Sequence, residues 1–161
     1  MTFLDEVAAA LVRAGRSVEV DPALSTIDVS SAGAGQVLAV VRPVARAVTF
    51  YAVHPVLVPA VSVAAVSELV VRATADLVDA SLELDLATGA LAVRFGVVLG
   101  ELDLVEDDLA ELLDAALDTV ETAAAAYSGA IDDVLAGVDP RTASTAVRRA
   151  PVEELAVGLD D

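Results

Sequence analysis

Two hydrophobic rhythms take turns along this 161-residue chain. Phe3, Val7, Ala10, Leu11 and Ala14 recur at the three-to-four spacing of one helix face, opened by a Thr2/Asp5 capping pair and closed by Gly15. The period then shifts to two. Thr26-Ile27-Asp28-Val29-Ser30 alternates polar and apolar, and Gly33-Ala34-Gly35 turns the chain. Residues 36–41 are a β-branched run broken by Arg42-Pro43, and residues 47–54 are a second run ended by Pro55. These three strands predict an antiparallel meander, with residues 17–20 as an extension of its first strand or a lead-in to it. Val63, Val66, Val70, Ala73 and Leu77 return to helical spacing over 62–77, with Glu68 and Arg72 as an i,i+4 pair in the favourable order. Ser81-Leu82-Glu83-Leu84-Asp85-Leu86 alternates, Thr88-Gly89 turns, and Leu91, Val93, Phe95, Val97 and Leu99 alternate back. A long helix follows over 104–136. Asp103 and Glu106 read as its capping box, Leu109, Leu113, Ala116, Val120, Ala123, Tyr127, Ile131 and Val134 as its apolar stripe, and Gly137 and Pro140 as its stop.

The order is α-β-β-β-α-β-β-α, which predicts an α+β domain over 1–140: a five-stranded antiparallel sheet packed with helices. Residues 141–161 are short on large apolar side chains and read as a flexible acidic tail. The central strands add a further clue. Leu38 and Val40 point opposite to Ala39 and Val41, and Tyr51 and Val53 opposite to Phe50 and Ala52, so these strands are apolar on both faces. Such strands need cover on both sides. Either the long helix wraps round the sheet, or a second subunit or a client sits on Leu38, Val40, Tyr51 and Val53.

Composition narrows the chemistry. The chain carries 26 acids against nine basic residues, for a net charge of −17, and has no Cys. Phosphate neutralisation is therefore no basis for binding nucleic acid, and neither disulfides nor thiolate metal sites are available. The uncharged stretch 47–67 has the length of a membrane span, but Pro55, Pro59 and its change of period read as strand, turn, helix. The acidic start, with Asp5 and Glu6, lacks the features of a secretory leader, so a cytoplasmic location without membrane contact is expected.

Between Glu101 and Asp139 lie twelve acids and no Arg. Glu111, Asp114, Asp118 and Glu121 follow one another on the long helix at spacings of three or four, where each like-charge neighbour costs a few tenths of a kcal/mol, on the order of 0.3. The stripe reads as a docking face for a basic partner segment. A solvated face that keeps an Ala/Val-rich protein soluble, or an adaptation to high salt, is the more ordinary account, since charge runs usually are solvated faces. Arg148-Arg149 could pair with this helix from the tail.

No catalytic set can be named. His54, the single His, has no nucleophile or orienting group beside it in sequence, and it cannot make a zinc site without further ligands. Glu83 and Asp85 share a strand face but lack the loop of a cation site. Gly33-Ala34-Gly35 lacks the Lys and the helix of a phosphate loop. Neither metal nor cofactor is expected.

The ordered set of positions resembles the YbjN-like family, whose fold is similar to that of type III secretion chaperones. The resemblance rests on Val58-Pro59 leading into the second helix, Arg72 late in it, Leu82-Glu83-Leu84-Asp85, Gly89, Arg94-Phe95 in the return strand, and the helix end at Leu135-Ala136-Gly137. Thr74 stands where the family commonly has Asn, and Ala80 where it often has Gly. The resemblance implies a small, acidic, cytoplasmic homodimer without enzymatic activity, a chaperone, adaptor or regulator of sensory transduction. Its expected partner is an unidentified protein client, engaged through the apolar sheet face and the acidic helix face. The alternative reading is a small-molecule module with a pocket between the sheet and the long helix.

Overall fold

A computed structural model describes residues 1–31 and 35–156, with side chains in the last helix as far as Arg148. The elements are α1 (Phe3–Arg13), β1 (Val18–Asp21), β2 (Thr26–Ser30), β3 (Gln36–Arg42), β4 (Ala47–Val53), α2 (Val63–Asp76), β5 (Ser81–Leu84), β6 (Leu91–Val98), α3 (Glu106–Leu135) and α4 (Pro140–Ala156). A 3₁₀ turn at Ala60–Ser62 leads into α2.

Local chemistry sets several of these boundaries. Thr2 caps α1 as expected. Its hydroxyl accepts from the Asp5 amide at 3.2 Å, while Asp5 Oδ2 accepts from the Thr2 amide at 2.8 Å. These bonds hold the Asp5 carboxyl below its ordinary value, so the stabilisation they give is present above that value and is lost as pH falls through the depressed one. The capping box expected for α3 does not form. The helix begins two residues later, with Val105 at the N-cap and no side-chain cap, because the Asp103 carboxylate lies 3.6 Å from Arg46 instead. The acids of the first turn, Glu106, Asp107 and Asp108, complement the helix dipole in its place.

The sheet has six antiparallel strands, in the order β1-β2-β3-β4-β6-β5, rather than five. The sixth is β1. Residues 18–21 do not extend the next strand, because Asp21 Oδ1 accepts from the Ala23 and Leu24 amides and Ser25 takes a left-handed φ of 54°. That turn folds the segment back as a separate edge strand. The 47–67 stretch divides into β4, an extended lead and α2, as its change of period predicts. Among the described residues no helix is long and apolar enough to cross a membrane.

One face of the sheet makes the core. Ile27, Val29, Val37, Ala39, Val41, Val48, Phe50, Ala52, Leu82, Leu91 and Val93 are all buried there. Across from them lies the whole predicted stripe of α3, from Leu109 to Val134, also buried. Fully buried side chains such as Leu113 and Leu117 each contribute about 2 kcal/mol of apolar transfer. α1 packs on α3, and α2 packs on β5 and α3.

The segment expected as a flexible tail is helical from Pro140 to Ala156, and α4 packs on α2 and α3. Asp139 holds its start by accepting from the Thr142 amide at 3.0 Å, and Ala143 and Ser144 are buried. The tail reading missed this because small residues suffice to pack a helix closely. Arg148 pairs not with α3 but with Asp76 at the end of α2, at 2.7 Å. Asp76 also faces the buried Tyr127 hydroxyl of α3 at 3.5 Å, so three helices meet on one carboxylate. Burial first, then the Asp76 charge, pushes the Tyr127 phenol above its ordinary value. Gly33, Ala34, the Arg149 side chain and residues 157–161 lie outside the described residues.

Candidate functional site

Alternation places Leu38, Val40, Tyr51 and Val53 together on the sheet face opposite the core. Leu38 stands directly across from Tyr51, and Val40 across from the buried Thr49, so the four side chains form one strip over β3 and β4. Each is partly buried by its strand neighbours. α3 does not wrap round to cover them, because it packs against the core faces of β4 and β6. Among the described residues the face carries no helix.

The strip has a polar surround. On one side Thr26, Asp28 and Ser30 of β2 face outward, with Gln36 Nε2 donating to Asp28 Oδ1 at 2.6 Å. On the other side Arg94 of β6 stands across from Tyr51 and donates to Glu83 of β5 at 2.8 Å. The Glu83 hydrogen bond and charge raise the Arg94 guanidinium above its ordinary value. Val98, 70% exposed at the end of β6, lies on the same outer face, across from Ala47. Sequence reading did not single out Val98, although its alternation with Phe95 and Val97 placed it on the outer face.

The four acids of the helix stripe lie elsewhere, on α3 facing the end of α1. Three of them converge on one cation. Arg16 donates from Nε to Asp114 at 2.8 Å, from Nη2 to Asp118 at 2.6 Å and from Nη1 to Glu121 at 3.0 Å. Burial works against this guanidinium's charge, but bonds to Asp114 and Glu121 outweigh it and hold it above the ordinary value. Arg13 likewise bridges Glu106 and Asp107. The spacing that looks repulsive along the helix is thus the spacing that lets three carboxylates reach one guanidinium. Glu111 stands exposed beside this cluster, outside it. No local signal reveals Arg16, since its partners lie about a hundred residues away.

The other candidates find structural roles. Asp85 accepts from Ala87 and Thr88 in the β5–β6 turn, and Glu83 is taken by Arg94, so the two do not share a cation. Among the described residues no group of His, Asp and Glu could hold a metal. His54 ends β4, with its amide donating to Leu91 O at 2.8 Å and its Nε2 lying 3.6 Å from Asp132 of α3. It borders a cavity of about 180 Å³ between β4, β6 and α3, lined also by Val93, Ala124, Ser128 and Ile131. That is the position of the alternative ligand pocket, but the volume is well under the roughly 300 Å³ at which small-molecule sites begin.

No protein-family model matches the chain. No curated protein matches it in sequence. In structure it is similar to the crystal structure of YbjN, "a putative transcription regulator from E. coli", with a TM-score of 0.62 and 12% identity, over 78% of this chain and 90% of that one. At that identity the likeness is one of fold, and the architecture is the YbjN fold that the ordered motifs suggested.

Proposed function

We propose that this chain is a non-enzymatic protein-binding domain, an adaptor or chaperone, and that it captures its partner on the helix-free face of the sheet. The observation that carries the reading is the strip of Leu38, Val40, Tyr51 and Val53, which the domain's own helices leave uncovered. A sheet whose outer face served only solvation would present polar side chains there. The fold neighbour's description as a regulator agrees with a binding role.

The size of the strip indicates what it takes. Two strands at about 4.8 Å spacing, over four or five residues at about 3.4 Å each, offer roughly 150 Å². A stable dimer of ordinary size buries about 800 Å² on each partner. A homodimer, which the resemblance implies, would need surface beyond this strip, and would bring together two bodies of charge −17. A short apolar segment of a client, free of acids, fits both the area and the charge. The α3 acids add a basic-partner face only through the exposed Glu111 and the outer rim of Asp118, since Arg16 holds the rest.

Replacing Tyr51 and Val53 together by Asp tests the proposal. The variant should lose a stoichiometric partner that the wild-type protein retains from native lysate, while its circular dichroism and melting cooperativity stay intact. Retention of that partner by the folded variant would overturn the assignment of the face. Sedimentation on the same two proteins adds a second criterion. A wild-type dimer that becomes monomeric in the variant, with no client on either, would show a self-interface instead.

A further inference from the structure

At the opposite end of the sheet from His54, α1, the residues after β6 and the first turn of α3 enclose a groove of about 700 Å³. Its floor is apolar: Ala9 and Ala10 of α1, Leu99, Leu104 and Leu109. The two alanines make the room, because larger side chains there would fill it. Beside it the chain leaves Met1, Leu102 and Val105 exposed by 90%, 56% and 65%. Glu6, Asp103 and Glu106 line it together with Arg13 and Arg46. Both guanidinium groups are already shared: Arg13 between Glu106 and Asp107, Arg46 between Glu6 and Asp103 at 3.5 and 3.6 Å. Four carboxylates, Glu6, Asp103, Glu106 and Asp107, thus outnumber the two guanidinium groups and the Met1 amino group, so the net charge of the rim is negative.

We infer that this groove is a second docking site, separate from the sheet face, for a basic amphipathic segment of a partner protein. Such a segment places one apolar anchor on the Ala9–Leu109 floor and sets Lys or Arg against Asp103 and Glu106. The volume lies within the roughly 300–1,000 Å³ range of preformed sites. The apolar floor with a charged rim is the usual anatomy of a small interface core. An acidic segment would meet a surplus of rim carboxylates over cations, and a purely polar one would leave the apolar floor uncovered.

The probe is a fluorescein-labelled peptide of Leu and Lys at helical spacing, set against a shuffled peptide of the same composition. Anisotropy should show the patterned peptide binding at least tenfold more tightly than the shuffled one. Ala9→Trp, which fills the groove at unchanged charge, should weaken it at least tenfold, and Asp103→Asn with Glu106→Gln should weaken it several-fold. Asp132→Asn with Asp133→Asn removes the same charge from the far end of α3 and should have little effect. Equal weakening by the two charge pairs would overturn the proposal in favour of attraction to the whole polyanion. Amide shift mapping on the wild-type protein guards against a misfolded Ala9→Trp. Shifts centred on Ala9, Leu99, Leu104 and Leu109 support the groove, and shifts centred on Leu38 and Tyr51 overturn it without touching the sheet-face reading.

Discussion

Arg16→Met will cost roughly 2–3 kcal/mol of folding stability, and Arg16→Glu more, although Arg16 stands in the connection between α1 and β1. The side chain is 20% exposed, and its partner Glu121 is 19% exposed, so this is a half-dry cluster and not a surface pair worth a few tenths. Removing the guanidinium leaves Asp114, Asp118 and Glu121 at i, i+4 and i+7 with no counter-charge, and frees the end of α1 from α3. Two further measurements separate the ionic part from lost packing. Urea titrations in about 1 M salt should return part of the loss, since the Debye length falls to about 3 Å. Neutralising the three acids in the Arg16→Met background should return most of it. A loss under about 0.5 kcal/mol in low salt would show that the cluster contributes no more than an exposed pair.

That cluster also marks where the sequence stopped being informative. Local signals carried the α1 cap, the β2–β3–β4 meander, the β5–β6 hairpin and the α3 stripe, because each rests on neighbours within about ten residues. The outer strip of Leu38, Val40, Tyr51 and Val53 was legible for the same reason: strand alternation assigns faces without knowing the partner strand. Arg16 and the acids of α3 meet only through the tertiary packing of α1 on α3, so the acids read as an unbalanced stripe. β1 and α4 failed differently. A four-residue edge strand made by an Asp21 turn leaves almost no periodic trace, and α4 buries Ala143 and Ser144 where larger apolar residues would have announced a helix. Several positions that carried the family resemblance turn out to touch one another. Glu83 pairs with Arg94, and the Val58 amide donates to Gly89 O at 2.8 Å, so the ordered motifs record contacts across the sheet edge.

Gly89→Ala should be the most damaging single methyl in the chain, at about 2–4 kcal/mol. Gly89 sits at φ +79°, in the left-handed region, and a Cβ there would lie 2.5 Å from the Val58 carbonyl oxygen. The obstacle is backbone, not a side-chain end that can swing away. Val58 is itself pinned, buried in the core and bonded to Gly89 O, while the Gly89 amide donates to Asp85 O at 2.7 Å. Relief therefore requires moving either the β5–β6 turn or the lead into α2. Gly137 supplies the internal control. Its φ is +100°, but a Cβ there meets nothing within 4 Å, so Gly137→Ala carries the conformational cost alone, about 1 kcal/mol. Urea midpoints of the two variants, at equal m, isolate the steric part as their difference. Equal losses would mean that the 55–59 lead yields freely, and that its contact with the hairpin turn does not help to hold α2 against the sheet.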